Sequence, residues 1–129
     1  MSIQGLKVER NNAVLDAYHE HLHKNGWISP RDFAKKLKNE RAPRFYVTYE
    51  NARRFTSMIL RGLKPKCLQV YYDLADRLKK ADAYKKATRY RFLALEKILE
   101  QEAPSFYLSE ERIISIIYTT MRARLHVNK

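Results

Sequence analysis

Residues that bend or cross-link a backbone are scarce in this chain. Of its 129 residues, three are glycine, four are proline and one, Cys67, is cysteine. A single cysteine excludes an intrachain disulfide and fits a reducing compartment. Three glycines are too few for a glycine-rich phosphate loop. No apolar run approaches the ~20 residues that span a bilayer, and residues 1–12 lack the apolar core of a secretory signal. We therefore expect an intracellular, cytoplasmic location and no membrane partner.

Positive charge is in excess along the whole chain. There are 26 Lys and Arg against 14 Asp and Glu, which gives a formal net charge of +12. Residues 1–64 carry 13 basic and 6 acidic side chains, and residues 65–129 carry 13 basic and 8 acidic ones. The excess of positive charge is therefore spread over both halves and is not confined to a terminal segment. A folded chain of this charge attracts polyanions, above all nucleic acid. The alternative is a lysine-rich surface that binds ribosomes or anionic lipid without specificity.

A short segment occurs twice. Residues 42–50 read APRFYVTYE and residues 103–111 read APSFYLSEE, and Arg61 aligns with Arg122 in the same register. Each copy leads into a segment with helical periodicity, and the spacing of about sixty residues is half the chain. We therefore predict two three-helix halves, residues 1–64 and 65–129. Because each half is small for an independent core, we expect them to share one.

Apolar spacing and turn residues divide the first half into helix, helix, extended connector and helix. The predicted elements are a helix over 9–24, a helix from Pro30 to about Glu40, an extended segment over 44–47 and a helix from the Thr48 cap to about Leu60. Gly62 to Pro65 supplies a turn between the halves. With few glycines and prolines and many charged residues, the composition suits an all-α protein with at most two very short strands.

The second half repeats this order. One predicted helical face comprises Leu68, Tyr71, Ala75 and Leu78, and another comprises Phe92, Leu95 and Leu99. A break over residues 81–86 would match the turn at Gly26, although one long bent helix is the alternative. Ser109 occupies the cap position of the last helix, with Glu110 in its first turn, where a negative charge favours the helix dipole.

The repeated APxFY connector has a structural and a functional interpretation. In the structural one, proline ends the preceding helix and the Phe-Tyr pair holds three helices together by burying a large area. In the functional one, Tyr46 or Tyr107 stacks on a base or contacts a phosphate. Duplication favours the structural interpretation, because both halves need the same support.

The third helix of each half is the predicted site of nucleic-acid contact. An apolar side and an Arg/Ser/Thr side are typical of a helix that lies in a major groove or binds phosphates. The candidate nucleic-acid-binding residues are Arg41, Arg44, Arg53, Arg54, Arg61, Lys64, Arg112, Arg122 and Arg124. The alternative is a solvated helix face. The connector is longer than the ~3–4 residues of a helix-turn-helix, so we expect a looser three-helix module that is like a winged helix without its wing.

Histidines near the end of the first helix suggest a metal site. His19 and His23 share a helix face at i, i+4, as zinc ligands can. The only further candidates, Cys67 and His126, are not linked to them by any spacing. The acidic residues form no obvious inward-facing pair for acid–base catalysis. We therefore expect surface histidines, no cofactor and no catalytic residue.

Residues 27–62, WISPRDFAKKLKNERAPRFYVTYENARRFTSMILRG, resemble a segment in small basic proteins of Bacteroidetes phages and mobile elements. The similarity lies in the APRFYVTYE…AR core and covers about a quarter of the chain. The resemblance implies a phage or mobile-element setting and supplies no catalytic residue. The second copy departs from this pattern at Ser105 and Glu110.

Two hypotheses of different classes follow. The first is a non-enzymatic, DNA-binding helical protein whose Lys and Arg side chains contact phosphate, with double-stranded DNA favoured over RNA. The second is a structural or interaction protein, such as a phage virion component or an adaptor whose positive face docks an acidic protein partner. A metal-dependent enzyme is the third and is disfavoured because the ligand set is incomplete.

Overall fold

The computed structural model describes residues 3–81 and 88–127, and this part of the chain contains helices and no strand. The prediction of an all-α protein is confirmed. The six helices are α1 (Ile3–Asn25), α2 (Pro30–Leu37), α3 (Tyr49–Leu60), α4 (Gln69–Lys80), α5 (Thr88–Leu99) and α6 (Glu110–Val127).

Helix starts follow the capping residues. Ser29 Oγ accepts the Asp32 N–H at 3.1 Å before α2, and Pro30 occupies the first turn. Thr48 Oγ1 accepts the Asn51 N–H at 3.2 Å before α3. These hydrogen bonds satisfy amides that have no partner inside the helix. The predicted starts of α2 and α3 are confirmed for this reason.

Two sequence predictions need correction. Leu68 was expected on a buried helical face, but it lies before α4 as its N-cap and is 68% exposed. The first helix was expected over residues 9–24, yet α1 begins at Ile3 and includes Gly5, because the buried Leu6 packs its start against the protein. In the second half, α4 ends at Lys80 and α5 begins at Thr88. The break expected over residues 81–86 falls almost wholly on residues 82–87, which lie outside the described residues, so it stays a prediction.

Packing assigns the helices to two compact units that differ from the halves of the sequence. One unit comprises Met1–Ile3 and Pro43–Ala103, and the other comprises Gln4–Ala42 and Pro104–Lys129. The first unit therefore contains α3, α4 and α5, and the second contains α1, α2 and α6. Each unit takes its third helix from the opposite half. We call this arrangement the helix exchange. The predicted bounds 1–64 and 65–129 follow the sequence repeat, and the shared core stays a prediction.

The chain crosses from one unit to the other at the same dipeptide in both repeats. The unit boundaries fall between Ala42 and Pro43 and between Ala103 and Pro104. Both alanines are 1% exposed. Proline has no N–H and keeps the residue before it in an extended conformation, so the chain cannot continue as a helix at this point. The repeated Ala-Pro therefore marks the crossings.

The unit of α3, α4 and α5 is organised around aromatic side chains. Phe45 is fully buried, its N–H donates to the Leu99 carbonyl at 3.0 Å, and the Arg77 guanidinium lies 4.8 Å from its ring centroid. Phe55 of α3 packs against Tyr71 of α4 with ring centroids 4.7 Å apart. The connector that follows the first crossing is thus fastened to both α4 and the end of α5.

The unit of α1, α2 and α6 has a comparable core. The Tyr18 and Phe33 rings are 5.1 Å apart, and the Tyr18 hydroxyl donates to the Ile28 carbonyl at 2.8 Å. Helix α6 packs on α2. The buried side chains of α6 are Ile113, Ile116, Ile117 and Thr120. The packing of α6 on α2 joins helices whose first residues are eighty positions apart in the chain.

The two connectors agree in their anchors and differ in their backbone. Phe45 and Phe106 are both buried. Ser109 Oγ accepts the Arg112 N–H, just as Thr48 Oγ1 accepts the Asn51 N–H in the first copy. Only the second copy places a tyrosine, Tyr107, at a positive φ of 56°. There the backbone is strained, as for any bulky residue in this region. Superposition of the complete halves stays a prediction.

The structural role of the connector predicts different costs for its two aromatic residues. Phe45→Ala should lower the free energy of unfolding by about 3–5 kcal/mol, because it removes a buried ring. Tyr46 is only half-buried, so Tyr46→Ala should cost clearly less. Urea unfolding followed by circular dichroism measures both. Equal losses would contradict the assignment of Phe45 as the anchor.

Candidate nucleic-acid interface

The outward side of α3 carries exposed arginines. Its buried side consists of Ala52 and Thr56, whose hydroxyl donates to the Ala52 carbonyl at 2.6 Å. Because this side packs against the rest of the unit, Arg53, Arg54 and Arg61 lie at the surface. We call these three residues the α3 arginines. They cover about 12 Å of helix axis, from the rise of ~1.5 Å per residue.

Aromatic rings lie beneath two of the α3 arginines. The Arg53 guanidinium lies 5.5 Å from the centroid of the Phe92 ring, and that of Arg54 lies 4.6 Å from the Phe55 centroid. A guanidinium over an aromatic face is held by cation–π attraction while its N–H edge stays available. The rings therefore orient the charges without neutralising them.

An open groove of about 440 Å³ adjoins the start of α3. It is lined by Glu50, Asn51, Arg53, Arg54, Ser57 and Phe92. Arg, Asn and Ser side chains are those that bind phosphates and base edges. The groove is not uniformly positive, because Glu50 is among its lining residues. At Tyr49, which precedes Glu50 in α3, burial raises the pKa, Glu96 raises it further and Arg53 opposes both.

The end of α3 adds two exposed cations. Arg61 is the C-cap residue, and its Nε donates to the Ser57 carbonyl at 3.3 Å. This bond satisfies a carbonyl of the last turn and leaves the outer edge of the guanidinium exposed. Lys64 follows in the turn after the helix and is also exposed.

The predicted site residues beside the first connector differ from the α3 arginines. Arg44 is half-buried, and its Nε donates to the Phe45 carbonyl at 3.3 Å. Its guanidinium therefore supports the connector. Arg41 is exposed and lies one residue before Ala42, at the end of the other unit.

In the second unit, the predicted polar stripe of α6 is exposed. It comprises Arg112, Ser115, Thr119 and Arg122. Arg124 is different, because its Nη2 lies 2.8 Å from Asp16 Oδ1 and 3.2 Å from Asn12 Oδ1. This ion pair connects α6 to α1. Arg124 therefore has a structural role, and its charge is offset by a carboxylate.

Arg10 is a cation that sequence reasoning missed. It is half-buried in α1, and its Nε and Nη2 donate to Asn11 Oδ1 at 3.2 and 3.1 Å. Burial lowers the pKa of Arg10, and the positive charge of Arg112 lowers it further. No local pattern reveals this pair, since 102 positions separate its members in the sequence.

The other sequence candidates do not converge on a site. Within residues 3–81 and 88–127, no three His, Cys, Asp or Glu side chains are grouped as a metal would require. His19 and His23 are exposed, and Cys67 is a half-buried free thiol. No helix in the described part of the chain has the length and apolar character of a membrane span.

Both compact units are basic. The unit of α3, α4 and α5 carries 14 basic and 7 acidic residues, a net +7, and the other carries 12 and 7, a net +5. No known protein family, curated protein or solved structure matches this chain. The function is therefore argued from charge and geometry.

Two substitutions on α6 should have opposite effects on stability. Arg112→Gln removes repulsion with Arg10 and a positive charge from a helix N-terminus, so the urea midpoint should stay the same or rise. Arg124→Gln breaks the ion pair with Asp16 and should cost about 0.2–1 kcal/mol. Both effects should shrink with added salt. A midpoint that falls equally in both variants would contradict these roles.

Proposed function

We propose that this chain is a non-enzymatic nucleic-acid-binding protein of a phage or mobile element, acting inside the cell on double-stranded DNA. The observation that carries the proposal is the state of the α3 arginines. They are exposed on one helix, and none forms an ion pair with any carboxylate among the described side chains. Their charge is therefore available to a polyanion.

Phosphate contacts would supply most of the affinity. Duplex DNA carries about one negative charge per ~1.7 Å of axis, so cations spread over ~12 Å of helix face several phosphates at once. The net +7 of the same unit adds long-range attraction. If α3 enters the major groove, Arg54, on the groove wall, would contact a guanine edge or a phosphate.

Neutralising the α3 arginines tests this surface. The triple variant Arg53→Gln, Arg54→Gln and Arg61→Gln should weaken binding to duplex DNA at least 10-fold at about 0.1 M salt. The log–log salt dependence should lose roughly 2–3 units of slope, because three phosphate contacts are removed. Fluorescence anisotropy with a labelled 20-base-pair duplex (about two turns) measures both quantities.

A charge-matched control distinguishes the loss of the α3 arginines from a loss of net charge elsewhere in the unit. Lys66, Lys79 and Lys97 are exposed in the same compact unit, and their triple change to Gln removes the same charge. It should leave most of the affinity in place. If both triple variants lose affinity equally, or if neither does, the binding surface is not α3. If the parent protein does not bind the duplex, the proposed function fails. Circular dichroism checks that each variant is folded.

A second function, that of an adaptor or virion component, is favoured by an apolar stripe on α6. Tyr118, Met121 and Leu125 are 50%, 36% and 65% exposed and follow at i, i+3 and i+7, the spacing of a helix that docks in a groove.

A gel shift at near-physiological salt distinguishes the two functions. The DNA-binding protein should retain the duplex in a complex, and Leu125→Glu should not affect that complex. An adaptor should retain no duplex and should instead co-purify with an acidic protein, in a manner that Leu125→Glu abolishes. A retained complex is therefore the result that favours the first function.

A further inference from the structure

The chain's single tryptophan is exposed to solvent. Trp27 follows Gly26 between α1 and α2, and it is 82% exposed, more than any other large hydrophobic side chain in the described part of the chain. Tryptophan has a large apolar surface, which proteins usually bury at least in part. An exposed tryptophan on a fixed backbone is characteristic of a contact surface.

The backbone on both sides of Trp27 is fixed. Gly26 has a φ of +86°, which its lack of a side chain permits, and its N–H donates to the Leu22 carbonyl at 3.1 Å. On the other side, the Ile28 carbonyl accepts the Tyr18 hydroxyl at 2.8 Å, and Ser29 caps α2. The indole is thus held outward by a structured turn and does not reside in a loose loop.

Positive charge surrounds this turn in the sequence and across the two helices. The cations of residues 19–41 are Lys24, Arg31, Lys35, Lys36, Lys38 and Arg41, all exposed, against Glu20, Asp32 and Glu40. Glu20 is paired with Lys24 at 2.7 Å, and Asp32 lies in the first turn of α2, where the helix dipole favours it. Lys36 Nζ lies 3.3 Å from His21 Nδ1, which brings the α2 cations beside the end of α1.

We propose that Trp27 stacks on an unpaired nucleobase while the neighbouring cations, Arg31 and Lys36 among them, bind the phosphates beside it. Aromatic stacking next to a positive surface is how proteins hold single-stranded nucleic acid. This inference rests on the proposed function, but it names a different surface, in the other compact unit, and a different substrate, an unpaired strand.

The cations on both sides of Trp27 in the sequence favour a base over the other partners of an exposed tryptophan. Within residues 19–41 it is the only exposed large hydrophobic side chain, and Tyr118 of α6, which interacts with Tyr18, adds a second exposed aromatic residue in the same compact unit. A protein hot spot is surrounded by further packed contacts, and a lipid surface engages several apolar side chains together. One flat aromatic ring among cations matches a base attached to its phosphates.

Intrinsic fluorescence tests the stack directly, since Trp27 is the only tryptophan. The protein is titrated with oligo(dT) of 12 nucleotides and with an abasic strand of equal length and charge. Binding of each strand is measured separately by the anisotropy of an end label. At equal saturation, oligo(dT) should quench the emission and the abasic strand should leave it nearly unchanged. Equal quenching by both strands, or none on saturation with oligo(dT), would overturn the proposal.

Variants of Trp27 provide the second measurement. Trp27→Ala should weaken oligo(dT) binding roughly 5- to 100-fold, as expected for the loss of one stacked base, and Trp27→Phe should restore much of it. Neither change should alter binding to the duplex through the α3 arginines. A Trp27→Ala variant that binds oligo(dT) as tightly as the parent protein overturns the proposal.

The outcomes separate this inference from the proposed function. If duplex binding depends on the α3 arginines but Trp27 does not respond to oligo(dT), only the stacking site is wrong. If neither strand type binds, the proposed function fails as well. Vesicles of phosphatidylserine and phosphatidylcholine serve as a further probe. A blue shift of the Trp27 emission with vesicles, without a response to oligo(dT), assigns the residue to a membrane surface and also overturns the inference.

Discussion

The rest of the structure depends on a constraint at two alanine-proline steps. Helices α2 and α5 end at Leu37 and Leu99, Pro43 and Pro104 then disfavour a new helix at these steps, and the following phenylalanines, Phe45 and Phe106, are buried. At these steps the chain passes into the other compact unit. The helix exchange follows, because α3 then packs with α4 and α5 while α6 packs with α1 and α2. The side of α3 that carries arginines is outward because its opposite side is used in this packing.

Arginine side chains in this protein differ in their partners. Arg77 lies on the Phe45 ring and Arg124 pairs with Asp16, so both stabilise the fold. The α3 arginines sit on aromatic rings or at a helix end, where they are oriented and keep their charge. Burial and the positive charge of Arg112 lower the pKa of Arg10. The charges of the α3 arginines are those that a polyanion would stabilise, which is why they are central to the proposed function.

Local features were predictable from the sequence, and partners distant in the chain were not. The caps at Ser29 and Thr48 were read correctly because a cap depends on residues three positions apart. Periodicity likewise indicated an apolar side for most helices, and hence the all-α class, although it misassigned Leu68. It does not reveal which helix covers that side, so the helix exchange was not foreseen. The Arg124–Asp16 ion pair, 108 positions apart, was missed for the same reason.

Contacts of the isoleucine methyl groups in α6 test the helix exchange most directly. In protein with labelled methyl groups, nuclear Overhauser effects from Ile116 and Ile117 should lead to side chains of α2, such as Phe33 and Leu37. That result would establish that the last helix packs within the unit of the first two. If the strongest effects from these methyl groups led instead to Leu95 and Leu99 of α5, the exchange, and with it the placement of the α3 arginines, would be contradicted.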